Sequence, residues 1–347
     1  MAPAVRRQIA LWLFLCCSMV FAILVVGGIT RLTHSGLSMV EWKPLVGIIP
    51  PLNEAEWQET FGKYKQSPEY KTMNGGMSLE AFKGIFFWEY WHRVLGRLMG
   101  IAFLLPYLYF LIRHRIDRPL KLKLLAIFLL GGLQGAMGWY MVKSGLIDNP
   151  RVSQYRLTAH LSIAFLIFTA MFWVALGLWR SRATPTANAP RGGLHKAGFW
   201  FCLLVFYMVI SGGFVAGTRA GKVYNTFPLM NGALAPPELF VLEPWYLNFV
   251  ENISTIQFDH RLGAWALAFL LPWFWWRIRR AAVSPAAHLA SNLLLAALAV
   301  QLTLGIATLL LRVPIALGAA HQGGAMVVFG LLLWLNHELR VPASLRQ

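Results

Sequence analysis

The chain has 347 residues, of which 57% are hydrophobic and 13% are charged, and its formal net charge is +17. Soluble domains carry roughly 25% charged residues, so this balance excludes an ordinary water-soluble fold. The positive charge lies in short segments between apolar runs, such as "RHRIDRPLKLK" and "RIRR". We therefore expect contact with membrane lipid and no nucleic-acid partner.

The apolar runs predict an all-α membrane protein with eight transmembrane helices. Each run has about 20 residues, the length that crosses a hydrocarbon core of about 30 Å. Because no water is present there to bond the backbone, each run must be helical. In chain order the predicted spans are Ile9–Ile29, Ile85–Ile112, Leu124–Val142, Leu157–Trp179, Ala197–Gly217, Ile253–Trp276, Leu289–Leu311 and Val313–Asn336.

The distribution of basic residues predicts the orientation of the bundle. Lys and Arg are enriched in the segments on the same side as Arg6 and Arg7, as the positive-inside rule requires of cytoplasmic segments. An even number of spans then places both termini in the cytoplasm. Few residues precede the first span, which leaves no room for a transit peptide, so we expect a bacterial inner membrane.

Between the first two spans lies the segment "NEAEWQETFGKYKQSPEYK". Its amphipathic pattern predicts a short helix on the outer membrane surface, with a solvated loop as the alternative. No segment of this kind occurs at the corresponding place in the second half of the sequence.

The sequence contains an internal repeat, because its two halves resemble each other. "VVGGITRLTHSG" resembles "ISGGFVAGTRAG", "EYWHRVLGRLMG" resembles "QFDHRLGAWALA", "LLGGLQGAMG" resembles "LAVQLTLGIA", and "LTAHLSIAF" resembles "GAAHQGGAM". Because each copy has four spans, both copies share one orientation in the membrane. The sequence predicts two parallel four-helix repeats, residues 1–180 and 181–347.

Two pairs of glycines have the spacing that allows close approach of membrane helices. These are Gly96 with Gly100 and Gly131 with Gly135. Small residues at this spacing favour contact between helices, although glycine is also common in spans without such a role.

Four histidines lie at one predicted depth. His92, His160, His260 and His321 each follow the outer end of an even-numbered span by about five to nine residues, which is a depth of about 8–12 Å. Neutral imidazole is a good axial ligand for heme iron. The pattern favours two bis-histidine heme sites, one per repeat, over a proton relay or structural packing. We expect the other histidines to face solvent or lipid headgroups: His34, His114, His195, His288 and His337.

Charged residues accompany the first of these histidines. Glu89 and Arg93 share a helical stripe with it, and such a stripe should face the interior of the bundle. The second repeat has Gln257 where the first has Glu89, so the reactive carboxylate belongs to one half only. Arg93 and Arg261 could bind heme propionates or could pair with local acids such as Glu89 and Asp259. We predict chemistry in the first half and a permanent cofactor in the second.

The motifs "GGITRLTHSGLSMVEWKPLVGIIPPLN", "FWEYWHRVLGR", "GGLQGAMGWYMVKSGL", "RLTAHL", "FVAGTRAGKVYNTFPLM", "FDHRLGA" and "AAHQ" resemble the heme A synthase family of proteobacteria and mitochondria. The resemblance covers nearly the whole chain. It implies oxidation of the C8 methyl of heme O to a formyl group, which gives heme A for cytochrome oxidase. Heme O synthase and oxidase assembly factors are implied partners, and a homo-oligomer is left open.

Site roles are carried over from the same resemblance. His260 and His321 would ligate a resident heme b, His92 and His160 would flank the substrate heme, and Glu89 would be the catalytic carboxylate. Some members of the family carry a cysteine pair in the outer loops, which is thought to assist redox turnover. In this chain the three cysteines fall within predicted spans, so that route for electrons is not expected.

Two other functions fit parts of the sequence. A cytochrome b-like electron carrier would also use four histidines, but it needs no carboxylate at one site only. A transporter built from parallel repeats would need broken helices near the membrane midplane, for which Pro106 and Pro272 are the only hint. The difference between Glu89 and Gln257 favours the enzyme.

Overall fold

The computed structural model describes residues 1–41, 49–146, 152–180 and 193–340. Within these ranges the regular structure is helical, apart from an isolated bridge between Met230 and Ala233. The prediction of an all-α chain is confirmed. The α-helices of the described ranges are α1 (Pro3–Leu32), α2 (Glu54–Lys65), α3 (Pro68–Thr72), α4 (Leu79–Ile112), α5 (Arg118–Gly145), α6 (Gln154–Trp179), α7 (Gly193–Gly217), α8 (Ile253–Arg279), α9 (Pro285–Leu310) and α10 (Ile315–Glu338).

Seven described helices are long and apolar enough to cross a membrane. They are α1, α4, α5, α6, α7, α9 and α10. The helix α8 has 27 residues, yet it falls below the hydropathy of the others. The cause is a polar first half that includes Gln257, Asp259, His260 and Arg261. The same residues are the ones that mark α8 as a candidate for function.

The helix starts follow from local capping chemistry. Ser78 accepts a hydrogen bond from the main chain of the first turn of α4, and Asp117 does the same for α5. Asn252 caps α8 and Ser284 caps α9. Side-chain oxygens at these positions satisfy backbone donors that have no partner within the helix.

The long helices pack in two similar groups. In the first half α1 packs against α4 and α6, and α5 lies between α4 and α6. In the second half α7 packs against α8 and α10, and α9 lies between α8 and α10. The two groups meet where α1 contacts α10 and α6 contacts both α7 and α10. One apolar core runs through both groups, with Leu13, Leu124, Met171 and Leu271 among its buried members.

The segment that precedes α4 forms two short helices, so its predicted helical structure is confirmed. Phe61 and Tyr64 of α2 stack on Phe82 at the start of α4, with ring centroids 4.9 and 5.1 Å apart. Phe86 completes this second apolar cluster. The cluster fixes α2 to the end of α4 that leads towards the histidines.

A buried acid lies inside this loop region. Glu69 of α3 is 4% exposed and accepts a hydrogen bond of 3.1 Å from the Tyr64 hydroxyl. Asn74 donates to the same hydroxyl. Burial raises the pKa of Glu69 to about 7, the bond from Tyr64 lowers it, and the charge of Glu89 raises it further. The loop region therefore contains a group that titrates near neutral pH.

One expectation about packing is wrong. His337 is 5% exposed and lies edge-on to Trp173, with ring centroids 5.1 Å apart, so it does not face headgroups. Of the two interpretations of the glycine pairs, the structure favours the one without close helix contact, because no described atom lies within 4 Å of a Cβ placed on any of the four.

Candidate functional site

Each histidine of the first half lies against a glycine of the neighbouring helix. A Cβ placed on Gly27 of α1 would lie 2.7 Å from Cε1 of His92 on α4. A Cβ on Gly138 of α5 would lie 3.1 Å from Cε1 of His160 on α6. A larger residue at Gly27 would displace the imidazole, so the glycine is what allows the ring its position.

The second half repeats this arrangement residue by residue. A Cβ placed on Gly212 of α7 would lie 3.2 Å from Cε1 of His260 on α8. A Cβ on Gly305 of α9 would lie 2.8 Å from Cε1 of His321 on α10. Gly27 and Gly212 occupy matching places in the similar segments "VVGG" and "ISGG". The structure thus brings each predicted histidine into an equivalent setting.

The two imidazoles of the second half face one another. The ring centroids of His260 and His321 are 6.5 Å apart and the ring planes are 80° apart. A metal midway between two imidazoles, with metal–nitrogen bonds of about 2 Å, holds the ring centroids about 6 Å apart. This spacing fits one iron atom with two axial histidines. Among the described residues, no cluster of three or more His, Cys, Asp or Glu offers a different kind of metal site.

A serine sets the orientation of His260. The Ser211 hydroxyl lies 2.7 Å from His260 Nδ1 and donates to the Met208 carbonyl at 3.2 Å. When the hydroxyl hydrogen is donated to the Met208 carbonyl, Nδ1 of His260 donates to the hydroxyl oxygen and the ring lone pair is on Nε2. Metal-binding histidines usually donate their other ring nitrogen in this way.

A glutamine accompanies the other histidine of each half. The Gln301 amide lies 3.2 Å from His321 Nδ1 and donates to the His321 carbonyl at 2.9 Å. The Gln134 amide lies 3.3 Å from His160 Nε2. Both Oε1 atoms are buried, and no described residue supplies a hydrogen for them. Buried polar atoms without partners are unusual, and they indicate a site that is completed by another group.

The first-half imidazole on α4 has no counterpart to Ser211. Val26 stands at the matching place, so there is no hydroxyl beside the ring. The His92 ring lies near the main chain of Ile23. No side chain among the described residues bonds its buried Nδ1. The His92 ring therefore relies on the main chain of Ile23 where His260 has a hydroxyl partner.

The carboxylate of Glu89 is buried and accepts three hydrogen bonds. Ser38 Oγ donates at 2.7 Å, the Met39 main chain at 2.8 Å and the Arg93 guanidinium at 2.5 Å. Arg93 also donates to the Met39 carbonyl at 3.0 Å. Glu89 is 2% exposed. It thus fastens the segment after α1 to α4, and all of its partners are donors that stabilise a charged carboxylate.

The second half joins the equivalent loop to the equivalent helix, but with hydrogen-bond donors and acceptors exchanged. The Gln257 amide donates to the carbonyls of Ala220 and Val223 at 2.6 and 2.5 Å. Arg261 donates to Gln257 Oε1 at 2.8 Å and to the Tyr224 carbonyl at 2.6 Å. The segment after α7 therefore presents acceptors where the segment after α1 presents donors. This difference is why a carboxylate fits one half and an amide fits the other.

The structure therefore shows the local pairing of Arg93 with Glu89 that was one of the two interpretations of the arginines. Asp259 lies away from Arg261 and accepts a hydrogen bond of 2.6 Å from the Tyr207 hydroxyl. Ser38 and Ser211 were missed in the sequence, because a lone serine carries no signal of its partner. The two glutamines could have been found, since both stand in the similar segments "LLGGLQGAMG" and "LAVQLTLGIA".

The fold and these side chains define a helical membrane protein with two facing imidazoles in its second half, two further histidine rings in its first half, and a buried acid three residues before one of these. The family model described as "Cytochrome oxidase assembly protein" (COX15-CtaA) matches residues 10–333. The chain belongs to this family.

Curated relatives cover nearly the full length. "Heme A synthase" of Nitrosospira multiformis is 62% identical over 337 residues, which are 97% of this chain and 95% of the relative. "Heme A synthase" of Nitrosomonas eutropha is 56% identical, with 96% and 94% of the two chains covered. "Heme A synthase" of Parvibaculum lavamentivorans is 49% identical, with 96% and 95% covered.

Proposed function

We propose that the chain is a heme A synthase, which oxidises the C8 methyl of heme O to a formyl group and so produces heme A. The observation that carries this proposal is the buried Glu89, three residues before His92, where the other half has Gln257. The two histidine sites thus differ in a reactive group. The full-length relatives that bear the name "Heme A synthase" support the same activity.

The architecture that we propose has eight membrane helices in two parallel repeats, residues 1–180 and 181–347. The matching packing of α1, α4, α5 and α6 with α7, α8, α9 and α10 supports it. The four histidine–glycine contacts support it independently, since each has its partner in the other half. Together with the seven apolar helices, α8 makes eight membrane spans. The rest of its bundle shields its polar stripe from lipid.

In this proposal His260 and His321 hold a resident heme b. The 6.5 Å spacing of their rings and the orientation that Ser211 gives to His260 Nε2 support this assignment. The Gln301 amide, 3.2 Å from His321 Nδ1 and hydrogen-bonded to the His321 carbonyl, holds this ring in place. A bound heme b would supply a one-electron redox centre within the bundle.

His92 and His160 then flank the substrate heme, and Glu89 acts at its edge. Ser38, Met39 and Arg93 donate hydrogen bonds to the carboxylate and orient it. Glu89 would take a proton from the attacking water or stabilise positive charge at the C8 methyl carbon. Arg93 stays paired with this carboxylate and would supply positive charge towards a propionate of the substrate.

The family and the relatives also bear on place and partners. The described membrane helices indicate a multi-pass membrane protein, and we propose the bacterial inner membrane with both termini in the cytoplasm. Heme O synthase would deliver the substrate, and oxidase assembly factors would receive the product.

Expression together with heme O synthase, in a host that makes no heme A, tests the activity. Chromatography of the extracted hemes should show heme A with the wild-type chain and only heme O with Glu89→Gln. Glu69→Gln, which removes a buried carboxyl outside the histidine sites, is the matched control and should leave heme A in place. Full conversion by Glu89→Gln would refute the catalytic role.

The two rival functions receive less support. In an electron carrier with two permanent hemes, we would expect the histidine ligands of both halves to have equivalent hydrogen-bond partners. Instead, Ser211 beside His260 has only Val26 as its counterpart in the first half. A transporter would gain from broken helices, whereas α4 and α8 continue through Pro106 and Pro272.

A further inference from the structure

The interior face of α4 is interrupted by two glycines. Residues on this face are buried on either side of them: Glu89 is 2% exposed, Phe103 is 4% exposed and Tyr107 is 6% exposed. Gly96 and Gly100 lie between them on the same face, at the four-residue spacing of a helical stripe. Both are exposed, and no described atom lies within 4 Å of a Cβ placed on either. The stripe therefore passes an open space inside the bundle.

The facing stripe of α5 is interrupted in the same way. Leu124 is fully buried and Ile127 is 5% exposed. Gly131, the next residue of this stripe, is exposed, and again no described atom lies within 4 Å of its Cβ position. Gln134 and Gly138 continue the stripe to His160. The space thus extends from the histidine site along α4 and α5, away from the end of the bundle that holds Ser38.

The head of this space lies at the histidine site. The Gln134 amide is 3.3 Å from His160 Nε2, and Oε1 of Gln134, three residues after Gly131, is buried with no hydrogen-bond partner among the described residues. The space and the substrate site are therefore continuous. A ligand that fills one therefore reaches the other.

The second half carries larger residues at the equivalent positions. Ala264 and Ala268 stand where α4 has glycines, and Leu298 of α9 stands where α5 has Gly131. Leu298 is 3% exposed, so its side chain fills the interior of this half. The two heme sites therefore differ in the volume beyond the histidines.

We propose that the space bordered by Gly96, Gly100 and Gly131 is a binding site for the isoprenoid chain of heme O. This inference rests on the proposed function. Heme O and heme A carry this long apolar chain, whereas heme b does not. Surrounding lipid is as apolar as the protein interior, so the site selects by shape rather than by hydrophobic attraction. Leu298 excludes the chain from the second half, which leaves that half to heme b.

Gly131→Leu tests the site, because it gives the first half the residue that the second half carries. The protein is purified from cells that make both heme O and heme b, and the bound hemes are extracted and chromatographed. We expect the ratio of heme O plus heme A to heme b to fall at least tenfold, while heme b per chain is unchanged. A wild-type ratio in Gly131→Leu would overturn the proposal.

Gly132→Leu is the matched control. Gly132 lies one residue further around α5, beside Leu129, which is 63% exposed. It should leave both hemes at wild-type amounts, and a loss of heme O equal to that of Gly131→Leu would count against the site. Heme b, retained in the second half, reports that the variants are folded.

A smaller change keeps the test decisive if Gly131→Leu does not fold. Gly131→Ala combined with Gly100→Ala gives the first half two methyl groups in the space, and we expect an intermediate loss of heme O. Unchanged binding in this double variant would also refute the site. If the wild-type chain itself carries neither heme O nor heme A, the proposed function fails as well, whereas equal ratios in all variants would refute only the tail site.

Discussion

The site of the second half holds its ligands more firmly than the site of the first half. In the second half the rings of His260 and His321 already face one another at 6.5 Å, and Ser211 fixes the proton of His260. In the first half Val26 takes the place of Ser211, so no hydroxyl bonds His92 Nδ1, which meets the main chain of Ile23. A cofactor that stays needs ligands in place beforehand, whereas a substrate that comes and goes does not.

The two halves also differ in the side chain that joins a loop to a helix, which is Glu89 in the first half and Gln257 in the second. Glu89 brings a charge next to the first-half site and is held by three donors, whereas Gln257 is neutral and donates to two carbonyls. Each half thus combines a loop contact with the chemistry that its site needs. Under the proposed function, this comparison explains how one four-helix plan could provide a cofactor site and a reactive site through a few side chains.

We expect the largest loss of bound heme from replacing a histidine that would ligate the proposed resident heme b. His321→Ala and His260→Ala should lower heme b per purified chain at least tenfold, because one axial ligand and the facing geometry are lost. His92→Ala is the matched variant and should keep heme b while it loses conversion of heme O. Pyridine hemochrome spectra of the purified proteins give the heme content, and equal heme b in all three variants would contradict the division between halves.

Ser211→Val should weaken heme b binding by about 10–100-fold, the usual cost of losing the partner of a metal-binding histidine. Ser211→Thr keeps the hydroxyl and should bind like the wild type. Transfer of heme b to an apoprotein acceptor measures the release rate. Val26→Thr should have the reverse effect in the first half, where the added hydroxyl can bond His92 and slow the release of heme A.

Substituting Gln257 tests whether this position requires a hydrogen-bond donor. Gln257→Glu places a carboxylate against the carbonyls of Ala220 and Val223, and leaving such buried acceptors unpaired costs about 1–3 kcal/mol. We expect a lower midpoint for thermal loss of the bound heme spectrum. Gln58→Glu, on the exposed face of α2, is the control and should leave the midpoint unchanged. A wild-type midpoint for Gln257→Glu would mean that the hydrogen bonds of the amide contribute little.

The smallest effect concerns the loop region that only the first half possesses. Because burial raises the pKa of Glu69 to about 7, the folded loop binds a proton that the unfolded loop releases above pH 4.5. Stability of the loop should fall as pH rises from about 4.5 to 7 and then stay level. Hydrogen exchange of α2 and α3 measures this dependence, which Glu69→Gln should remove. An equally steep dependence in Glu69→Gln would assign it to another group.

Much of this plan could be predicted from the sequence, because long apolar runs permit only helices in a membrane and the repeated motifs locate four histidines. The difference between Glu89 and Gln257 was also visible. The partners of these side chains were not, since Ser38 and Met39 belong to an irregular segment whose path no periodicity describes.

Other features depended on the relative placement of helices. The glycines at 96, 100, 131 and 135 have the spacing of a packing motif, but the distance between α4 and α5 decides whether they touch. His337 stands near a helix end, and only the position of Trp173 on another helix shows that it is buried. Hydropathy alone also misses α8, because the polar residues of the site lower its average.

An experimental structure of the protein with heme O, in which anomalous scattering locates the iron atoms, would test the two heme sites most directly. We predict one iron between His260 and His321 in a heme without an isoprenoid chain. We predict a second iron in the first half, between His92 and His160, with the C8 methyl near Glu89. A heme with an isoprenoid chain between His260 and His321, or a single iron bound in the first half alone, would contradict this prediction.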